Sequence, residues 1–162
     1  MDTSVVLDCD WFIINKQPFV KVLCWSVVGS ESSGEITFDL PKKAPQFRRD
    51  LSKQAHHSHG LLWWKGGQYP AHHVPIALPN FFDFVLRKRP SEIKFFAKGL
   101  QKCQLLKTWL PTVSNLEDLG CPRFDQLSDK PLTTLHKAQV FSSWLQVHKS
   151  ATLSPPVTSD VD

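Results

Sequence analysis

Asp8 and Asp10 stand two residues apart in the segment VVLDCDWF. If that segment is a regular strand, alternate residues share a face, so the two carboxylates point to the same side. Carboxylates placed like this share divalent metal ions about 3.5–4 Å apart, the arrangement by which phosphodiester hydrolases stabilise attacking and leaving oxygens. Acidic residues at a strand end are also ordinary solvated turn residues, and the pair alone does not choose between the two. The other polar clusters carry weaker chemistry. His56, His57, His59, His72 and His73 offer imidazoles for Zn²⁺, but the Cys-containing spacing of structural zinc sites is missing, which favours solvated loop histidines. His59, followed by Gly60, Leu61 and Trp63, is expected to tie its loop to the body through a side-chain hydrogen bond.

Cations gather in two stretches. Lys42, Lys43, Arg48, Arg49 and Lys53 form one; Arg87, Lys88, Arg89, Lys94, Lys98, Lys102 and Lys107 form the other, with Glu92 the sole acid among them. The second stretch, and Lys98 with Lys102 one helical turn apart within it, is the candidate contact for phosphates. Trp63, Trp64 and Tyr69 present ring faces on which bases could stack, or pack their loop onto the domain. No GxSxG, P-loop or GxGxxG occurs, and no cysteine has a histidine and an acid near it in sequence, which argues against covalent hydrolases and nucleotide-cofactor enzymes.

The elements that must position these groups are readable from apolar runs. Val5–Leu7 with Trp11–Ile14, then Phe19–Val28, then Glu35–Leu40 read as three strands joined by short turns, hence an antiparallel meander. A helix is expected near Pro45–Gln54 and another within Ile76–Leu86, with Pro79 limiting where it begins. Ile93–Ala97 reads as a buried parallel strand, the segment from Leu100 as a three-turn helix closed by Pro111, Val113–Leu116 as a short strand and Leu135–Val147 as a last helix. The expectation is an α/β domain over 1–149: a mixed five-stranded sheet, three strands antiparallel and then two parallel, with helices on both faces, the plan of the ribonuclease H-like fold. Residues 150–162, rich in Ser, Thr, Pro and Asp, read as a disordered tail.

The opening VVLDCDWF and its two following strands resemble the DEDD-type 3′ to 5′ exonucleases, whose first strand carries DxE. More closely, the chain is similar to a set of proteins encoded by viruses and mobile elements that share a first-strand DxD, an HGLxW motif, a KGxxK motif and an LEDLGCP segment. Here these are Asp8–Asp10, His59–Trp63, Lys98–Lys102 and Leu116–Pro122. The exonuclease resemblance implies a second metal-binding aspartate in the helix after the fourth strand and an HxxxxD motif in the last helix. Lys102 stands near the former position; His136 fits the histidine, and Phe141 stands where the last aspartate belongs. Asp8, Asp10 and His136 are thus a remnant of the expected set, with Asp83 or Glu117 as substitutes only from unexpected directions.

A protonated lysine repels Mg²⁺ rather than ligating it. The implied function is a catalytically degenerate exonuclease-like module that binds nucleic acid or a protein partner and needs no cofactor. The alternative is a divergent nuclease holding Mg²⁺ or Mn²⁺ on Asp8 and Asp10. No apolar run reaches the roughly 18 residues of a membrane span, and the N-terminus lacks the pattern of a signal peptide. With four scattered cysteines, Cys9, Cys24, Cys103 and Cys121, an intracellular, reduced protein without membrane contact is expected. The net charge of +4 permits an anionic partner.

Overall fold

The computed structural model describes residues 3–129 and 133–153. Strands β1 (Thr3–Ile14), β2 (Gln17–Val27), β3 (Ser33–Thr37), β4 (Ile93–Ala97) and β5 (Val113–Asn115) form one mixed sheet in the order β3-β2-β1-β4-β5. β1–β2 and β2–β3 are antiparallel; β1–β4 and β4–β5 are parallel. The expected meander followed by two parallel strands is present. Asn15 and Lys16, both at positive φ (52° and 64°), make the two-residue hairpin between β1 and β2, the primed turn whose twist matches the strands it joins.

The sheet is buried on both faces. Val5, Leu7 and Cys9 of β1 face helices α2 (Val74–Leu86) and α3 (Leu100–Leu106), in a core that includes Leu78, Phe82, Phe95, Cys103 and Leu106. Val6 faces the opposite way, onto Phe141 and Leu145 of α5 (Thr134–Leu153) and Phe124 of the short α4 (Phe124–Leu127). Farther along the same side, Phe12 and Ile14 cover Leu51 of α1 (Arg48–His57), which follows a 3-10 turn at Ala44–Phe47. Burial on both faces is why these strands read as continuous apolar runs rather than as alternating ones.

One irregularity explains the lone charge in the β2 run. Asp10 pairs with Val22 and Trp11 with Val20, so Lys21 is the extra residue of a β-bulge. The bulge reverses the facing of β2: Val20 joins the α2–α3 core, while Val22 and Cys24 join Ala138 beneath α5. Lys21 is buried, and its ammonium donates to the carbonyls of Phe38 (2.9 Å) and Lys65, which ties the bulge to the long loop beyond α1. Burial lowers its pKa, and the two carbonyls take the place of hydration.

Several elements differ from expectation for identifiable reasons. α2 begins at Val74 and carries Pro79 inside it; the missing N–H costs one helical hydrogen bond, and the helix persists because Val74, Leu78 and Phe82 recur at four-residue spacing in the core. α3 has about two turns, not three: Thr108 and Trp109 donate to Leu105 and Leu106 in a tightened end that still buries Leu110. β3 stops at Thr37, after which Phe38 bridges to Tyr69. α5 runs to Leu153, past Ser150, because Lys149 anchors that end by a hydrogen bond to Ser4 Oγ and by lying 5.3 Å over the Phe96 ring. The remainder of the expected tail lies outside the described residues.

The segment after α1 runs beside the continuation of β3. Gln68 donates its N–H to the Thr37 carbonyl (3.0 Å), and Asp39 donates to Tyr69 (2.8 Å). Gly67 permits this approach, since a Cβ there would lie 2.3 Å from the Phe38 carbonyl carbon, whereas one at Gly66 meets only the Asp39 carboxylate at 3.6 Å. Gly67→Ala is therefore expected to cost about 2 kcal/mol or more by overpacking against backbone, with Gly66→Ala within about 0.5 kcal/mol of wild type. Urea unfolding midpoints of the two variants measure the difference.

Candidate functional site

β1 outruns its parallel neighbour. β4 pairs only with Thr3–Val6, so Asp8 and Asp10 lie beyond its end, on the α5 face of the sheet. Asp8 is 2% exposed. Its Oδ1 accepts from the Cys9 N–H (3.0 Å) and from the Lys102 ammonium; among the described residues Oδ2 has no hydrogen-bond partner. Burial pushes the Asp8 carboxyl above its ordinary value, and the Lys102 charge and hydrogen bond pull against that push. Burial also disfavours the Lys102 ammonium, but the field and hydrogen bond of Asp8 outweigh it and hold the group protonated above its usual range.

Lys102 reaches this carboxylate because α3 starts immediately past β4. The link is Lys98–Gly99, and Gly99, at φ 108°, turns the chain into the helix while donating its N–H to Asn115 Oδ1 (3.0 Å). The same Asn115 oxygen accepts from Glu117 N (3.0 Å), and Glu117 receives Lys98 Nζ at 3.0 Å. That ion pair holds the Glu117 carboxyl below its ordinary value. Neither substitute acid reaches the first-strand pair. Glu117 is engaged by Lys98, and Asp83 is an exposed residue of α2, on the other side of the sheet.

Asp10 is half-buried and accepts the Thr134 hydroxyl at 2.7 Å on Oδ2. Thr134 opens α5, and the helix continues toward the sheet with Ala138, Phe141 and Leu145. His136 lies on a different side of this helix. Its Nε2 meets Ser128 Oγ at 3.2 Å and its ring packs edge-on to Phe124 at 5.6 Å, so its contacts go to α4 rather than to the carboxylates. The grouping of His136 with Asp8 and Asp10 is not what the side-chain contacts present. Phe141, where the resemblance implies an aspartate, is buried among Val6, Leu116, Cys121 and Leu145.

His59 does what its sequence context implies. Its Nε2 lies 3.0 Å from the Trp11 carbonyl and its Nδ1 accepts from Leu61 N at 3.1 Å, which makes Nε2 the donor. The ring also packs at 4.5 Å on Phe12. Three of the four sequence motifs meet around the far half of β1: DxD within it, HGLxW tied to Trp11, and KGxxK through Lys102; LEDLGCP joins KGxxK through the Lys98–Glu117 pair and packs Leu116 and Cys121 with Val6. Between Asp10, Glu35, His59, Thr134 and Lys137 lies a cleft of about 490 Å³. Thr134 was not legible in the sequence, because nothing marks a helix-opening threonine 124 residues away as the partner of Asp10.

In the second cationic stretch, Arg87, Lys88 and Arg89 precede β4, and Lys98 and Lys102 follow it. Lys98 and Lys102 are both consumed by acids of the domain itself. Lys94 is exposed on β4. Among the described residues no three His, Cys, Asp or Glu side chains gather into one group. All four cysteines are buried free thiols; desolvation raises those of Cys9 and Cys24 and pushes Cys121 up to about 11.

The residues around Asp8 and Asp10 do not fit a two-metal centre. The Lys102 ammonium occupies Asp8 and the Thr134 hydroxyl occupies Asp10. Comparison with protein-family models and with curated proteins gives no match.

The ion pair has a definite pH signature. A carboxyl whose folded pKa is raised contributes least to stability once it is ionised, so loss of the opposing cation must hurt most at high pH. Lys102→Met is expected to destabilise by about 3–5 kcal/mol at pH 8, with the deficit relative to wild type shrinking as the pH falls and Asp8 takes up a proton. Asp8→Asn combined with Lys102→Met should recover much of the loss. Denaturant midpoints from pH 5 to pH 8 supply the test; a pH-independent deficit would show that Lys102 acts by packing alone.

Proposed function

We propose that this chain is an exonuclease-like domain of ribonuclease H-like topology that no longer hydrolyses phosphodiesters and acts as a nucleic-acid-binding module. The observation that carries the reading is the Lys102 ammonium on Asp8. In a metal-dependent nuclease that carboxylate would ligate the ion that generates hydroxide and stabilises the leaving oxygen. An ammonium neutralises it permanently but offers neither an open coordination position nor a water of lowered pKa. The strand order β3-β2-β1-β4-β5, with acids in β1 just beyond its pairing with β4, supports the fold assignment, and the similarity of its four motifs to uncharacterised proteins of viruses and mobile elements supports such a source.

Two observations favour the alternative of a divergent Mg²⁺- or Mn²⁺-dependent 3′ to 5′ nuclease: Asp8 and Asp10 share a face, and Asp8 Oδ2 lacks a partner among the described residues. One set of measurements separates the readings. The wild type is expected to leave single-stranded and duplex DNA intact with either metal, and calorimetry should detect no tight Mn²⁺ site. Lys102→Asp, which returns an acid to the second position, should create Mn²⁺ binding. Degradation by the wild type that Asp8→Asn abolishes would establish the nuclease instead.

A further inference from the structure

The first cationic stretch faces outward as one surface. Leu51 is the buried residue of α1, and Gln54 beside it clamps β1 by exchanging two hydrogen bonds with the Ile13 backbone (2.7 and 2.8 Å). That attachment fixes which face points away. Arg49, Lys53 and His56, spaced four and three residues apart, form an exposed stripe opposite Leu51. Arg48 and Lys42 extend it, and Asp50, the acid of the helix, is occupied by Gln54 Nε2 (2.9 Å). Among the described residues, Lys42, Arg48, Arg49 and Lys53 make no ion pair.

Beside this stripe runs the loop after the helix. Trp63 packs into the cluster of Phe12, Ile14 and Leu51, and Tyr69 lies against Phe38 at 6.0 Å, so packing accounts for both. It does not account for Trp64, which is 65% exposed. Trp64, Leu62 and Leu61 form one side of a groove of about 260 Å³, with Ser52 and His56 of α1 on the other. The cationic stripe adjoins the groove at His56, and an exposed indole with apolar neighbours forms the groove's other side; cations beside a groove with an aromatic wall match a chain that is anionic on one edge and flat and aromatic on the other.

We infer that the α1 face and the Trp64 groove bind single-stranded nucleic acid, with phosphates along Arg49 and Lys53 and a base stacked on Trp64. Resting on the functional reading above, this places the contact on a different surface from the Arg87–Lys102 stretch. A base held in duplex cannot present its face to an indole, so the groove prefers single strands, and stacking gives tolerance of sequence. Phosphate contacts release counterions and add salt dependence, whereas stacking does not.

The test uses fluorescein-labelled oligo(dT) of about 20 nucleotides, its duplex with oligo(dA), and the full chain, across a salt series. Oligo(dT) is expected to quench tryptophan fluorescence and to bind more tightly than the duplex. Arg49→Gln with Lys53→Gln should weaken binding at least about ten-fold and flatten the salt slope by about 1.4, two contacts at about 0.7 each. Trp64→Ala should cost about ten-fold with the slope unchanged, and Trp64→Phe should restore most of it. Arg87→Gln with Arg89→Gln should change nothing. Binding that survives both the α1 pair and Trp64→Ala would overturn the inference while leaving the nucleic-acid-binding reading in place. Failure of the wild type to bind either DNA at low salt would overturn both, and loss with the α1 pair but not with Trp64→Ala would reject the single-strand assignment.

Discussion

A carboxylate buried to 2% exposure cannot stay ionised without a countercharge, and around Asp8 that requirement organises the neighbouring chain. Its position is set by alternation along β1, with Val5, Leu7 and Cys9 taken by the α2–α3 core and Asp8 left on the α5 face. The countercharge comes from α3, which can deliver it only because β4 ends four residues short of Asp10 in the β1 register. Gly99 then makes the sharp entry into the helix, and Asn115 secures the entry by accepting its N–H. Lys98, Asn115 and Glu117 extend the arrangement to β5, so that a local electrostatic demand joins three separate stretches of sequence.

Such a pair is weak evidence for stability in its own right. Two charges withdrawn from water give up hydration that their attraction only partly returns, and an apolar replacement of both is often as stable. Lys102, with 22% of its side chain exposed, keeps some contact with solvent, which lessens the cost on its side. The cost on the Asp8 side is fuller, as its Oδ2, without a hydrogen-bond partner among the described residues, indicates. A site optimised for stability alone would have replaced the aspartate.

The legible parts of the fold were those written in burial. Strands covered on both faces appear as apolar runs, and β4 was bounded correctly at Ile93–Ala97 because turn residues flank it. The Lys21 bulge was not legible: one charge in an apolar run does not reveal that it is the extra residue of a mismatched register. The end of α5 was missed for a related reason, since Lys149 looks like a solvated terminus until Phe96 and Ser4 are brought beneath it. In the site, Asp8 is legible from the DxD spacing and Lys102 from the resemblance, whereas the motif that groups His136 with them does not specify the side of the helix on which it lies. Helix rotation about its axis depends on which neighbours it buries, and Phe124 and Ser128 decide that locally.

The same reasoning reallocates the positive charge. Counting cations along a sequence treats them as equivalent, but a lysine already opposed by a buried or half-buried acid of its own domain has little field left for a partner. Lys98 and Lys102 are of that kind, and Lys21 is spent on backbone carbonyls. Arg49 and Lys53 are not, because α1 buries Leu51 and turns its other side to solvent. The stretch with fewer cations thus projects the more coherent field. Its neighbour Trp64, exposed while Trp63 one residue earlier is packed, supplies the aromatic face that a purely electrostatic surface would lack.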